Sequence, residues 1–130
     1  MSVRILIVDD SEIFRSGLRA FLEAQADWEV CGESRNGLEA IQKTRQLAPN
    51  LIVMDLAMPG MSGIDAARQI LREFPETPIV LLTLYVTRQL VDDARNLGIR
   101  GTVSKTTMNR LVDSISAALR GENPDTLIVS

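Results

Sequence analysis

The sequence predicts an α/β fold, a doubly wound sandwich on a five-stranded parallel sheet. Three observations carry this reading. Five short apolar runs alternate with amphipathic segments along the chain. Such alternation implies parallel strands joined by helical crossovers that cover both sheet faces. Right-handed crossovers then wind the chain in both directions from the first strand. With 130 residues the chain is one domain's worth, with 45% hydrophobic and 24% charged residues, as a globular core requires.

The first run is Val3 to Val8 (VRILIV), short and rich in branched residues. Asp9, Asp10 and Ser11 follow, any of which can begin a helix, and Phe14, Leu18, Phe21 and Leu22 then recur on one helical face. Trp28 to Glu33 reads as a weaker strand with Trp28 packed at its start. Asn36-Gly-Leu-Glu39 has the form of a capping box, with Leu38, Ile41 and Leu47 behind it on the buried face.

Leu51 to Met54 is a buried strand ending at Asp55. A loop with Pro59, Gly60 and Gly63 follows, and Ser62-Gly-Ile-Asp65 caps a helix that turns Ile64, Ala67, Ile70 and Leu71 inward. Pro75 and Pro78 bracket the next turn. Ile79 to Leu82 is a fourth strand, ending at Thr83. Leu90, Val91, Ala94 and Leu97 mark a helix that Gly98 stops. Ile99 to Val103, interrupted by Gly101, is the fifth strand. Met108, Leu111, Val112, Ile115 and Leu119 give the last helix, which Gly121 ends. The domain is expected over residues 1–121, with 122–130 a tail or the start of a linker.

Composition removes several chemistries. No histidine is present, so the usual general base, the usual zinc ligand and a Ser-His-Asp triad are excluded. Cys31 is the only cysteine and reads as a small buried apolar residue; an internal disulfide is impossible and a reducing compartment fits. A formal charge of −3 without a basic run makes this domain a poor binder of bare nucleic acid. The first apolar run is short and ends in two acids, so it is neither a signal peptide nor a membrane span, and a cytoplasmic protein is expected.

In open α/β sheets ligands sit at the carboxyl ends of the strands. Asp9 and Asp10 fall there after the first strand, Asp55 after the third, Thr83 after the fourth, and Lys105 just beyond the fifth. A single acid at such a place often only caps a helix. Three acids, a hydroxyl and a lysine on one edge point to a site. Two carboxylates ~4 Å apart repel by about 4 kcal/mol at an effective dielectric near 20, so clustered acids take up protons or a cation. Hard oxygen ligands without His or Cys suit Mg²⁺, which favours one or two carboxylates plus a phosphate oxygen. Mg²⁺ beside a carboxylate, a lysine and a hydroxyl suits phosphoryl transfer, with an aspartate as covalent nucleophile.

Across about residues 3 to 120 the chain resembles the receiver domains of two-component response regulators. The residues that carry the resemblance are Ile5-Leu-Ile-Val-Asp-Asp10, Met54-Asp55, Met58-Pro59-Gly-Met-Ser-Gly63, Thr83 and Ser104-Lys105. The stretch IFRSGLRAFLE and the MPGMSG loop look most like receivers attached to LuxR- or NarL-type DNA-binding domains. The resemblance implies the flavodoxin-like, CheY-like (βα)5 fold. It implies that Asp55 accepts phosphate from a histidine kinase. Asp10 would ligate Mg²⁺, Asp9 would act directly or through water, and Asp55 and the Ala57 carbonyl would complete the set. Thr83 would donate its hydroxyl to the phosphoryl group and Lys105 would pair with it. Pro59 and Gly63 would shape the loop. Phosphorylation would bias a two-state equilibrium at the surface of the fourth helix, fifth strand and fifth helix, with a homodimer as a possible result. The output, transcription through a LuxR-type domain, would lie outside this chain, which reads as a receiver cut from a longer regulator.

The sequence departs from the family pattern at three places. Thr102 stands where an aromatic is usual, so a coupled threonine–aromatic rotamer switch is expected to be absent or altered. Leu84 follows Thr83 where a small residue is usual, and Ala57 and Tyr85 lie on the route of attacking water. Arg15, Arg19, Arg68 and Arg72 read as solvated helix faces, and Ile13 and Phe14 as a candidate kinase-docking surface. Three other functions compete. One is a phosphorylation-independent receiver acting only as an interaction module. One is a phosphatase with an aspartate nucleophile, for which Asp9-Asp10-Ser11 would serve. The last is an FMN binder, which two acids after the first strand disfavour. The leading reading is a signalling module without external substrate, not an enzyme.

Overall fold

The computed structural model describes residues 2–122. Five parallel strands lie in the order β2-β1-β3-β4-β5: β1 (Val3–Val8), β2 (Trp28–Ser34), β3 (Leu51–Asp55), β4 (Ile79–Thr83) and β5 (Gly101–Ser104). Five helices connect them: α1 (Glu12–Glu23), α2 (Gly37–Leu47), α3 (Gly63–Glu73), α4 (Arg88–Leu97) and α5 (Leu111–Leu119). This is the doubly wound architecture expected. The direction of winding reverses between β1 and β3, the place where such sheets open a crevice.

Side chains alternate across the sheet and split the core into two layers. Ile5, Ile7, Leu51, Val53, Val80, Leu82 and Val103 pack with Leu18 and Leu22 of α1 and Leu111, Ile115 and Ala118 of α5. Leu6, Val8, Ile52, Met54, Ile79 and Leu81 pack on the other face with α2, α3 and α4 through Ala40, Ile41, Ala66, Ala67, Ile70 and Ala94. The central strands β3 and β4 are buried at every position, which is why they read as continuous apolar runs rather than alternating ones.

Four helices carry side-chain N-caps, three of them (Ser11, Asn36 and Ser62) at residues the sequence marks. Ser11, Asn36, Ser62 and Thr87 each accept a backbone N–H from three residues on. At Asn36 the box is displaced: Glu39 reaches the N–H of Arg35, one residue before the cap. Gly98 ends α4 in the left-handed region at φ 99°, where a side chain would be strained.

Several expectations need correction. Leu38 is exposed, and the buried face of α2 is Gly37, Ala40, Ile41 and Thr44. The fifth strand begins at Gly101, and the Ile99 N–H still bonds back to the Ala94 carbonyl of α4. The last helix opens with a 3-10 turn at Met108–Arg110. Cys31 is half-buried, since the β1–β2 register slips by one residue there: Ile5 pairs with Val30 and Leu6 with Gly32. Of the expected tail only Glu122 is described; 123–130 lie outside the described residues.

Candidate functional site: an acidic pocket at the carboxyl edge of the sheet

The residues expected at the sheet edge converge. Asp9, Asp10, Ser11, Asp55, Ala57, Thr83, Leu84, Tyr85 and Lys105 line one pocket of about 430 Å³. The strand register explains the convergence. β1 pairs with β3 up to Val8–Met54, β3 with β4 up to Asp55–Leu82, and β4 with β5 up to Thr83–Ser104. The functional side chains therefore leave their strands at one level.

Asp9 is only 1% exposed, Asp55 4% and Thr83 7%, whereas Asp10 is exposed. One carboxylate oxygen from each acid lies within 4.8 Å of the others. This donor set of hard oxygens, one of them solvent-facing, fits a hydrated divalent cation such as Mg²⁺. Lys105 lines the same pocket. Its Nζ donates to Asp9 Oδ2 at 2.8 Å and lies 3.3 Å from Asp55 Oδ1. The backbone behind it is pinned by a 2.7 Å hydrogen bond from the Lys105 N–H to the Thr83 carbonyl.

The charges set the protonation preferences. Burial, reinforced by the Asp9 carboxylate, pushes the Asp55 carboxyl above its ordinary value, against the pull of Lys105 and the Ala57 N–H. Burial opposes the charge on Lys105, but the hydrogen bond to Asp9 and the charge of Asp55 outweigh it and hold the ammonium firmly protonated. The lysine thus offsets part of the negative charge of the two buried carboxylates.

Two features escape a reading of the sequence. Arg15 is largely buried and Arg19 only partly exposed, both engaged by Glu33. Arg15 Nε donates to Glu33 at 2.9 Å and its Nη1 to the Asp9 carbonyl at 2.6 Å, while Arg19 takes the other Glu33 oxygen. The IFRSGLR stretch gives the spacing of these arginines, but nothing local marks Glu33 on a neighbouring strand as their partner. Arg68 and Arg72 do lie on an exposed face, with Arg68 paired to Asp65. Ser104 is the second feature. Its hydroxyl reaches the Leu84 carbonyl at 3.4 Å and accepts the Thr106 N–H at 3.1 Å, joining the loops after β4 and β5. Thr102 is fully buried and pairs in register with Leu81. Ile13 is 88% exposed and Tyr85 81%.

The pattern of the response regulator receiver domain matches residues 5–116. The chain belongs to that family. Curated relatives include the transcriptional regulatory protein LiaR of Bacillus subtilis, 41% identical over 92% of this chain and 57% of its own length. The response regulator protein VraR of Staphylococcus aureus is 36% identical over 98% of this chain and 63% of its own. The receiver therefore spans about three-fifths of these relatives. A crystal structure of a LuxR-family two-component response regulator from Aurantimonas sp. SI85-9A1 superposes with a TM-score of 0.91 at 32% identity, over 95% of this chain and 89% of that one. The chain is a receiver of the LuxR-type regulators, with the CheY-like fold of that family. Receivers of response regulators are phosphorylated by sensor histidine kinases, and they are regulators rather than typical enzymes. No helix among the described residues is long and apolar enough to cross a membrane.

Proposed function

We propose that Asp55 is the phosphoacceptor of this receiver. The observation that carries the reading is the buried Asp55 carboxylate, shared between Lys105 and the acidic pair and opening into the pocket. One Asp55 oxygen attacks phosphorus, the bond from phosphorus to the donor imidazole nitrogen breaks, and the electron pair leaves with that nitrogen. The product is an acyl phosphate. Lys105 transfers its contact from carboxylate to a phosphoryl oxygen, and the Thr83 hydroxyl donates to another.

Asp10, Asp55 and the Ala57 carbonyl would hold Mg²⁺, with Asp9 acting directly or through water. The bound ion would neutralise phosphoryl charge. Asp9 is already engaged by Lys105 and by the Ser11 N–H at 2.8 Å, which favours the exposed Asp10 as the stronger ligand. The donor is a sensor histidine kinase, and the receiver meets it in the cytoplasm. Residues 1–121 form the receiver and 122–130 a tail or the start of a linker; by analogy with LiaR and VraR, the output it controls is transcription through a LuxR-type DNA-binding domain. Phosphorylation switches the α4, β5 and α5 surface and promotes a homodimer. Thr102 supplies no ring for the switch, so its coupling to Thr83 differs from the aromatic pattern.

Intact-mass spectrometry after incubation with acetyl phosphate tests this. A gain of one phosphoryl group that needs Mg²⁺ and disappears in Asp55→Asn is expected. No adduct, or an adduct that survives the substitution, overturns the reading.

A further inference from the structure

We infer that Phe14 is a positioning residue for Lys105, holding the ammonium over its ring where it can meet a phosphoryl group on Asp55. The inference rests on the proposed role of Lys105 and goes beyond it. The Lys105 Nζ lies 4.3 Å from the centroid of the Phe14 ring. An ammonium has three N–H bonds. Here Asp9 takes one at 2.8 Å, Asp55 faces a second at 3.3 Å, and the π face of Phe14 covers the remaining side.

The ring is not placed by chance packing. The Asp9 carboxylate accepts the Ser11 N–H at 2.8 Å, and the Ser11 hydroxyl caps α1 by accepting the Phe14 N–H at 3.1 Å. Phe14 then contacts Lys105, and Lys105 returns to the other oxygen of Asp9. Asp9, Ser11, Phe14 and Lys105 form a closed circuit, with both carboxylate oxygens of Asp9 as its ends. The ring also packs against the core under α1.

The circuit has a chemical consequence. When Asp55 gains a phosphoryl group, the carboxylate contact of Lys105 changes, but a neutral ring does not compete for the ammonium's hydrogen bonds. Phe14 therefore keeps the lysine directed at the pocket while its anionic partners exchange. A ring edge alone does not do this, and neither does an aliphatic side chain of similar volume.

The test compares Phe14→Leu, which keeps apolar volume, with Phe14→Tyr, which keeps the ring. Two measurements are made on the full chain. The first is the rate of phosphorylation by acetyl phosphate, a small donor that needs no docking surface. A loss of roughly three- to thirtyfold in Phe14→Leu, the rate equivalent of a cation–π contact, with recovery in Phe14→Tyr, is expected. The second is the NMR shift of the Lys105 ε-methylene protons, which the ring moves upfield in the native chain and in Phe14→Tyr but not in Phe14→Leu. Equal rates in Phe14→Leu and the native chain overturn the inference and leave Phe14 to kinase docking. Absence of the upfield shift in the native chain overturns it as well, whether or not the protein is phosphorylated. Failure of the native chain to take up phosphate, with the shift intact, refutes the Asp55 reading instead.

Discussion

Lys105 rests on Asp9 rather than on Asp55: its ammonium is 2.8 Å from the former and 3.3 Å from the latter. On the proposed Mg²⁺ site the lysine and the metal ion would compete for the same carboxylates. Lys105→Met keeps the apolar stem and removes the charge. It should lower stability without metal by about 3 kcal/mol, since it leaves buried carboxylates unpaired. It should also tighten Mg²⁺ binding roughly tenfold, or ~1.4 kcal/mol. Calorimetric titration with Mg²⁺ and urea melts with and without the ion check both. Weaker Mg²⁺ binding in the variant would show that lysine and metal cooperate.

The Glu33–Arg15 pair ties β2 and α1 to the backbone of Asp9, with the Arg15 side chain only 14% exposed. Burial works against ionising Glu33, but hydrogen bonds from Arg19 and Arg15 outweigh it and hold the carboxyl below its ordinary value. Because the folded value is depressed, the stabilisation is complete above the unfolded value of ~4.3 and is lost as pH falls through the folded one. Glu33→Gln should therefore cost about 1–2 kcal/mol at pH 7, reduced from the full worth of charged hydrogen bonds by partial exposure. The gap to the native chain should close in acid. Urea midpoints at pH 7 and near pH 3 measure it, and a gap that persists in acid would count against the ionic account.

Much of this was legible in the sequence because strand ends are legible. Asp9, Asp55 and Thr83 each follow an apolar run, and parallel topology alone brings such positions to one edge. What stayed hidden depends on pairs that no local pattern records. Arg15 reads as a solvent-facing helix residue until β2 places Glu33 beside it. Leu38 fits a helical apolar face by spacing, yet Gly37, Ala40, Ile41 and Thr44 form the buried face of α2 and leave it outside. The slip at Cys31 is invisible because edge strand β2 has too weak an alternation to fix its own register.

Gly63 is held by close approach rather than by backbone angle. A Cβ there would lie 2.3 Å from the Asp55 carbonyl oxygen and 3.0 Å from the Leu56 Cα, and its N–H already donates to the Leu56 carbonyl at 2.8 Å. Gly63→Ala must move the start of α3 away from the end of β3. A destabilisation of about 1–3 kcal/mol follows from overpacking. The carboxylate of Asp55, the proposed acceptor, moves with its backbone, so acetyl phosphate labelling should slow even in the folded fraction. Thermal melts and labelling rates on the same sample separate the two effects. Unchanged labelling would mean that the loop absorbs the extra carbon without disturbing Asp55.

Asp55 titrates in the opposite sense to Glu33. Its folded value is raised by burial and by Asp9, so the ionised form burdens the fold. The burden is full above the raised value and vanishes as pH falls through it toward the unfolded ~3.9. Asp55→Asn should accordingly melt higher than the native chain at pH 7 without Mg²⁺, with the advantage fading in acid and on adding Mg²⁺. Only the carboxylate attacks phosphorus, so native labelling should also fall as pH drops through the raised value. A lower melting point for Asp55→Asn at pH 7 would show that the contact with Lys105 outweighs burial and repulsion.

Leu84 stands beside Thr83 at the mouth of the pocket, 59% exposed, with its carbonyl held by Ser104. Together with Tyr85 and Ala57 it lines the pocket that holds Asp55, and on the proposed function water would cross that pocket to reach an acyl phosphate. Trimming it to alanine opens that approach without touching the carboxylates or the lysine. Leu84→Ala should shorten the lifetime of phosphorylated protein roughly two- to tenfold, a barrier change of at most ~1.4 kcal/mol. An exposed side chain contributes little to the fold, so stability should stay within about 0.5 kcal/mol. Decay of the phosphoryl adduct, followed by intact mass after removal of acetyl phosphate, gives the rate. An unchanged lifetime would place the barrier to water at Tyr85 or in the Mg²⁺ shell rather than at Leu84.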